Sequence, residues 1–372
     1  MDNYELVIPC LLGLEGPVAD ELRKMDAKNV RPQNGRVLFD GSDEMLARAN
    51  ICSRYGERVL INMGSFVAQS FEELFQGVKG LPWERVIGRK DAFPVKGACL
   101  SSKLMSVPDC QSIIKKAVVE RLKQKYSVSW FEETGTKYQI QFLILKDNVS
   151  VMVDTTGVPL HKRGYRANAT AAPIKETLAA AMAYFSRVRH DANFIDPMCG
   201  SGTILIEAAL YALNIAPGVH RRFEAERWTN VSGGVWRKER TRARELEMHS
   251  AAFTAHGYDI DNDAVELSLA NAEKAGVKTR ISVENRNISD FEQSGEYGCV
   301  ICNPPYGERL LDVKQSEQLY RTMGEVFSGR RGWSFSIISP DDDFEKCFGR
   351  KADKRRKLYN GMIKCQYYMY FK

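Results

Sequence analysis

The chain reads as an α/β protein: two small α+β units lead into a domain in which strands alternate with helices. Three observations carry that reading. Over the first 158 residues strands come in hairpin-joined pairs with helices between them. From residue 173 onward strand and helix signals alternate, the mark of a mostly parallel sheet. At 372 residues the chain is too long for one ordinary core, so two or three domains are expected.

The elements follow in order. Residues 3–9 read as a strand. Residues 14–25 read as a helix with Leu14, Val18, Leu22 and Met25 on one face. Asn34-Gly35 is a hairpin signal between Lys28–Pro32 and Arg36–Asp40. Ser42 is placed to cap a helix with Asp43 and Glu44 in its first turn. Arg58–Val67 closes a βαββαβ order, which is ferredoxin-like, and the unit is expected to span residues 1–68. Residues 69–158 form a second unit: a helix over 70–79, a strand over Ala92–Leu100, a helix over 108–126 and the strands Tyr138–Leu145 and Val149–Asp154. A linker is expected at 159–172 and the third domain at 173–372. In that domain the expected helices are Ile174–Val188 behind Pro173, Gly202–Leu213, Asn262–Ala275 and Glu317–Phe327. The expected strands are Asn193–Asp196, Ala255–Asp259, Ile281–Asn285, Cys299–Cys302, Trp333–Ser339 and Gly361–Phe371. Residues 214–250 read as an insertion rich in Arg and Glu.

Composition is ordinary for a soluble globular protein, with 44% apolar and 27% charged residues and a net charge of +6. No apolar run is long enough to span a bilayer, and the N-terminus lacks the pattern of a signal peptide. Nine scattered cysteines suit a reducing compartment, so a cytoplasmic protein with no membrane partner and no obligate protein partner is expected. Cys299 and Cys302 have the spacing of a metal half-site, but no second pair accompanies them, and no metal is expected.

Chemistry concentrates at the ends of the C-terminal strands. Asp196-Pro197-Met198-Cys199-Gly200-Ser201-Gly202-Thr203 joins a strand to a helix. Its glycines permit close backbone approach to a ligand, and the helix N-terminus offers free N–H groups. A third glycine is missing, because Leu205 occupies that place, and Asp196 would repel a pyrophosphate. An acid there suits an ammonium group. Asp259, followed by Ile260, can accept both hydroxyls of a ribose. Asp290 can accept from an adenine amine, with Phe291 flanking the ring. An amino-acid tail, a ribose and an adenine together describe S-adenosylmethionine, which leaves S-adenosylhomocysteine as product.

Cys302-Asn303-Pro304-Pro305-Tyr306-Gly307 follows another strand. Two prolines stiffen it in an extended form. The Asn303 carboxamide and the Pro304 carbonyl can accept both hydrogens of an exocyclic amine, which aligns its lone pair for attack on a methyl group. They also stabilise positive charge as it develops on nitrogen. Tyr306 can stack on the base. No strong base is needed, because the methylated ammonium is very acidic.

These two stretches resemble class I methyltransferases that act on exocyclic amines of nucleobases. Together with Leu160–Arg166, Ala172–Leu178, Asn303–Leu310 and Gly349–Cys365, they resemble the THUMP-domain RNA methyltransferases, and most closely the half that makes N2-methylguanosine in bacterial large-subunit rRNA. The resemblance implies a Rossmann-like methyltransferase domain with a mixed seven-stranded sheet, its last strand antiparallel, preceded by ferredoxin-like and THUMP domains. It implies RNA as partner, ribosomal RNA ahead of transfer RNA. A DNA adenine-N6 methylase and an inactive RNA-binding assembly factor are the alternatives.

Two basic clusters are candidate phosphate contacts. One is Lys162, Arg163 and Arg166 on the linker; the other is the run Arg350, Lys351, Lys354, Arg355, Arg356 and Lys357. Arginines in the 214–250 insertion are interleaved with acids and read as helix-face ion pairs, and Trp228 and Trp236 read as packing residues.

Overall fold

A computed structural model describes residues 3–166, 174–293, 295–306 and 313–371. Ala172, Pro173 and Gly307–Leu310, which belong to the motifs above, lie outside the described residues.

The N-terminal part contains β1 (Tyr4–Pro9), α1 (Glu15–Lys24), β2 (Lys28–Gln33), β3 (Arg36–Gly41), α2 (Asp43–Cys52), β4 (Leu60–Val67), α3 (Phe71–Lys79), β5 (Val95–Leu100), α4 (Val107–Tyr126), β6 (Ile140–Leu145) and β7 (Asn148–Asp154). The two expected units share one seven-stranded sheet, ordered β2-β3-β1-β4-β7-β6-β5. The joint is the antiparallel pairing of β4 with β7, whose register shifts between Asn62 and Gly64. Strand alternation sorts the side chains onto two faces. Leu6 and Ile8 enter the large core with residues of the four helices, while Val7 joins Leu38, Leu60 and Met152 in a small cluster. Ser70 and Ser106 cap α3 and α4 through their hydroxyls. Ser42 sits at the N-cap of α2, but its side chain makes no capping bond.

The C-terminal part contains α5 (Glu176–Phe185), β8 (Asn193–Asp196), α6 (Thr203–Ala212), α7 (Gly233–Glu245), β9 (Thr254–Asp259), α8 (Asn262–Lys274), β10 (Ile281–Asn285), β11 (Gly298–Cys302), α9 (Val313–Phe327), β12 (Trp333–Ser339), α10 (Phe344–Phe348), β13 (Lys354–Asn360) and β14 (Ile363–Tyr370). Its sheet runs β10-β9-β8-β11-β12-β14-β13. The first five strands are parallel, and β14 pairs antiparallel with both β12 and β13. The seventh strand, β13, occupies most of the basic run that the sequence reading left between two strands. As an edge strand it can carry a row of exposed charges, which hide its period of two and discourage pairing with another sheet.

The insertion is a strut between the two halves. Its helix α7 packs on α2, and Arg48 of α2 binds the buried Glu239 carboxylate at 2.8 and 3.0 Å. Trp228 stacks on Tyr138 at 4.4 Å, and Trp236 stacks on Phe223 at 5.4 Å, so both tryptophans are packing residues. Among the described residues no helix is long and apolar enough to cross a membrane.

Candidate active site

The sheet reverses direction beside β8: β9 and β10 extend it to one side, and β11 returns to the other. Ligands of open α/β sheets bind in the crevice at the carboxyl ends of such strands. Asp196 ends β8, Asp259 ends β9, Asp290 closes a short turn after β10, and Asn303 follows β11. The four polar residues singled out in the sequence therefore sit at four neighbouring strand ends.

Asp196 is 1% exposed. One carboxyl oxygen accepts the Met198 N–H at 3.3 Å; the other, Oδ2, is buried with no partner. Burial, with help from the Asp259 charge, pushes its pKa up to about 8. Asn303 repeats the situation one strand away, where its carboxamide Oδ1 is buried without a donor. Pro304 beside it is buried and Pro305 is half-buried.

Asp259 holds the glycine loop in place. Its carboxylate accepts the Gly200 N–H at 2.8 Å and the Asp261 N–H at 3.0 Å. A carboxylate has about four lone-pair sites, so capacity for two further donors remains. Asp261 caps α8 by accepting the Asp263 N–H at 3.0 Å. The two loop glycines serve different ends. At Gly200, with φ +52°, a Cβ would meet open space, so the backbone itself faces the crevice. At Gly202, with φ +76°, a Cβ would lie 2.6 Å from Ser268 Oγ, so that glycine serves packing against α8 rather than ligand approach.

Several expected site residues are committed elsewhere. Thr203 is buried, and its hydroxyl accepts from Arg166 at 2.8 Å. Arg166 also donates to the Ile174 carbonyl and pairs with Glu176, so this arginine ties the linker to the glycine loop instead of facing RNA. Arg163 is 7% exposed; it pairs with the buried Glu207 of α6 and donates to the carbonyls of Leu160 and Arg54. Sequence spacing could not reveal this, because its partner lies 44 residues away. Of that cluster only Lys162 is exposed. Phe291 is 5% exposed and meets Phe327 edge to face at 5.1 Å, a core position rather than a free ring beside a ligand. Pro197 is buried and Met198 partly so, while Ile260, beside Asp259, is 72% exposed and supplies apolar surface at the rim. Asp290 is exposed.

In the basic run Lys351, Lys354 and Lys357 are exposed. Arg350 pairs with Asp353, and Arg355 lies 3.5 Å from Glu345. Arg356 is half-buried and lies over the Phe185 ring at 4.3 Å, so its guanidinium is partly engaged within the chain. Cys299 and Cys302 are three apart on a strand, so their side chains fall on opposite faces and into different clusters, which is incompatible with a shared metal.

Three residues escaped the sequence reading. Ser268 and Asn271 of α8 donate to the Gly200 and Ser201 carbonyls at 3.0 Å each, fixing the loop from behind. Two small polar residues at i and i+3 on the inward face of a helix were the available signal. Asn360, at the end of β13, donates to the Tyr306 hydroxyl at 2.6 Å and so fixes the far end of that side chain.

Comparison with known proteins completes the picture. Three family models match in succession: the RlmL ferredoxin-like domain over residues 5–60, the THUMP domain over 68–154 and the RMKL-like methyltransferase domain over 163–369. YpsC of Bacillus subtilis (strain 168), named as a candidate RNA methyltransferase, is 41% identical over 100% of this chain and 97% of its own length. The ribosomal RNA large subunit methyltransferase K/L of Psychromonas ingrahamii is 32% identical over 96% of this chain, which spans 49% of that protein. Among solved structures, SMU.472, described as a candidate methyltransferase complexed with SAH, superposes with a TM-score of 0.95 at 42% identity, covering 100% of this chain and 98% of that one.

Proposed function

Because the chain belongs to the RMKL-like methyltransferase family, we propose that it transfers the methyl group of S-adenosylmethionine to the exocyclic N2 amine of a guanosine in large-subunit ribosomal RNA, as a cytoplasmic enzyme. The observation that carries this reading is the pair of buried acceptors without partners, Asp196 Oδ2 and Asn303 Oδ1, at the ends of adjacent strands. Leaving a buried polar atom unsatisfied costs about 1–3 kcal/mol, so both positions favour donors brought by ligands. An ammonium group answers the first and an amine the second.

The cofactor fits the residues present. Asp196 would hold its ammonium group, Asp259 its ribose hydroxyls and Ile260 and Asp290 its adenine, over the open backbone at Gly200. When bound, S-adenosylmethionine supplies an electrophilic methyl group. The chain itself does the positioning. Asn303 Oδ1 and the Pro304 carbonyl accept the two amine hydrogens, which turns the nitrogen lone pair toward the methyl and offsets positive charge on nitrogen. Tyr306, fixed by Asn360, presents a ring face to the base. The target must leave its stack to reach this crevice, which costs a few kcal/mol. The THUMP match and the names of the relatives support RNA as the substrate class.

The test is methyl transfer from labelled cofactor to large-subunit rRNA, tRNA and DNA, followed by nucleoside analysis. N2-methylguanosine in rRNA is expected; label only in DNA adenine would refute the reading. Asn303→Ala should lower kcat by about 10²–10³ while cofactor binding survives, and unchanged turnover would remove Asn303 from the mechanism.

A further inference from the structure

The insertion carries chemistry that the proposed transfer site does not use. One face of α7 presents Trp236, Arg237, Arg240 and Arg244 at helical spacing, and with Arg222 and Arg227 they wall a cavity of about 590 Å³. Five arginines thus line a space whose lining holds one carboxylate, Glu226. That acid is already taken: Arg240 binds it at 2.6 Å, and Arg222 lies 3.5 Å away. Of the two acids on α7, Glu239 is turned toward Arg48 of α2, and Glu245 forms no ion pair among the described residues. Arg237 and Arg244 therefore have no acid partner among the described residues. Arg240 is balanced by Glu226, and Arg237 and Arg244, three and four residues from it on the same helix, add positive charge that this acid does not offset. A second, independent observation agrees. Trp236, one of the residues lining the cavity, is 2% exposed, and its buried indole N–H finds no acceptor.

A concave surface with excess guanidinium and an unused N–H donor suits phosphate oxygens, because planar forked donors match them in pairs. The neighbourhood narrows the source. The segment beneath the cavity is pinned to the second N-terminal unit by the Trp228–Tyr138 stack, the Trp228 N–H to Lys137 carbonyl bond at 3.1 Å and the Lys137–Glu224 pair at 3.3 Å. We propose that the cavity binds the phosphodiester backbone of the RNA substrate where the strand passes between the THUMP unit and the methyltransferase domain. This rests on the RNA reading above and adds a site to it.

The test uses the full chain and the double variant Arg237→Gln, Arg244→Gln, with melting temperature as the folding control. Binding of a labelled fragment of large-subunit rRNA is followed by fluorescence anisotropy across a salt series, and kcat and KM are measured on the same RNA. Two lost phosphate contacts should lower the magnitude of the log K against log salt slope by about 1.4–1.8. The KM for RNA should rise about tenfold or more, with kcat at saturating RNA unchanged. Wild-type affinity and slope in the variant would overturn the proposal. Inorganic tripolyphosphate serves as the second probe. If it quenches tryptophan fluorescence in wild type but not in the variant, while RNA binding is the same in both, the site takes free anions and the RNA assignment is wrong. A wild-type protein that neither binds nor methylates RNA would instead sink the underlying functional reading, and the proposal with it.

Discussion

The most informative perturbation is pH acting on Asp196. Burial first, and the Asp259 charge second, raise this carboxyl from 3.8 to about 8. Its titratable neighbours offer no relief: the Cys199 and Cys302 thiols are themselves pushed up by burial and by Asp196. Below pH 8 the free protein therefore holds a proton here that an ammonium-bearing ligand must expel. Each pH unit below that value corresponds to about 1.4 kcal/mol, or tenfold in affinity. Affinity for S-adenosylmethionine should climb roughly tenfold per unit between pH 5.5 and 7.5. The series stops there because a ligand α-ammonium begins to lose its own proton near pH 7.7–8.0. Titration calorimetry in two buffers of different ionisation heat would show release of close to one proton at pH 6. Asp196→Asn should flatten the dependence. Stability of the ligand-free protein runs the opposite way, falling as pH rises. Between pH 3.8 and about 8 the folded chain binds a proton that the unfolded chain has lost, so this contribution is complete below 3.8 and disappears as pH rises toward 8. Asp196→Asn should accordingly gain melting temperature over wild type at pH 8.5 and not at pH 5. A pH-independent affinity without proton release in wild type, or the same slope in the variant, would refute the assignment of Asp196 to the ammonium group.

Three further expectations follow. Asp259→Ala removes the acceptor for the Gly200 and Asp261 N–H groups as well as for a ribose; at about 1.5–3 kcal/mol per bond to a charged group, calorimetry should show cofactor affinity at least tenfold weaker, and wild-type affinity would count against the role. Asn360→Ala frees the Tyr306 hydroxyl, so kcat should fall about tenfold, the worth of one or two hydrogen bonds, with cofactor affinity unchanged in the same preparations. Arg48→Ala strands Glu239, whose side chain is 1% exposed; denaturant titration should show a loss of about 3–5 kcal/mol, and pairing it with Glu239→Met should recover much of that loss.

Period and punctuation made most of the elements legible. The short apolar runs of β1, β3 and β6, the Asn34-Gly35 turn and the prolines after Cys302 each have a local physical meaning, and the strands and helices they implied are present. The strand-end acids were legible for the same reason, since a strand, a polar residue and a helix occur in immediate succession. What local reading could not supply was the partner. Arg163 and Arg166 look like surface cations until Glu207 and Glu176 fold against them. Phe291 looks available until Phe327 closes over it. Arg356 looks like part of a charge run until strand alternation turns it over Phe185. Each of these side chains was read by its type, and each was decided by a contact made far away in the chain.

Those contacts bear on how a target could be chosen. The acceptor loop alone would accept any exocyclic amine, so selection has to come from where the remainder of the chain holds the nucleic acid. A platform joined by a flexible tether would raise local concentration without measuring distance. Here the platform is fixed. Arg54 of the N-terminal part donates to the Ile215 carbonyl at 2.9 Å, and Arg163 joins the Arg54 carbonyl to Glu207 of α6. Glu57 gathers His161, Lys175 and Thr177; although burial opposes its charge, those partners hold its carboxyl down at about 2. With Arg48–Glu239 added, several buried or half-buried polar links set the angle between the two sheets. An RNA anchored on the first sheet would then present only nucleotides at one span to Asn303. Specificity in this architecture would be a property of the joint between the sheets, and substitutions at Glu57 or Arg48 should change which nucleotide is methylated, as mapped by nucleoside analysis of the RNA, before they change how fast the methyl group moves.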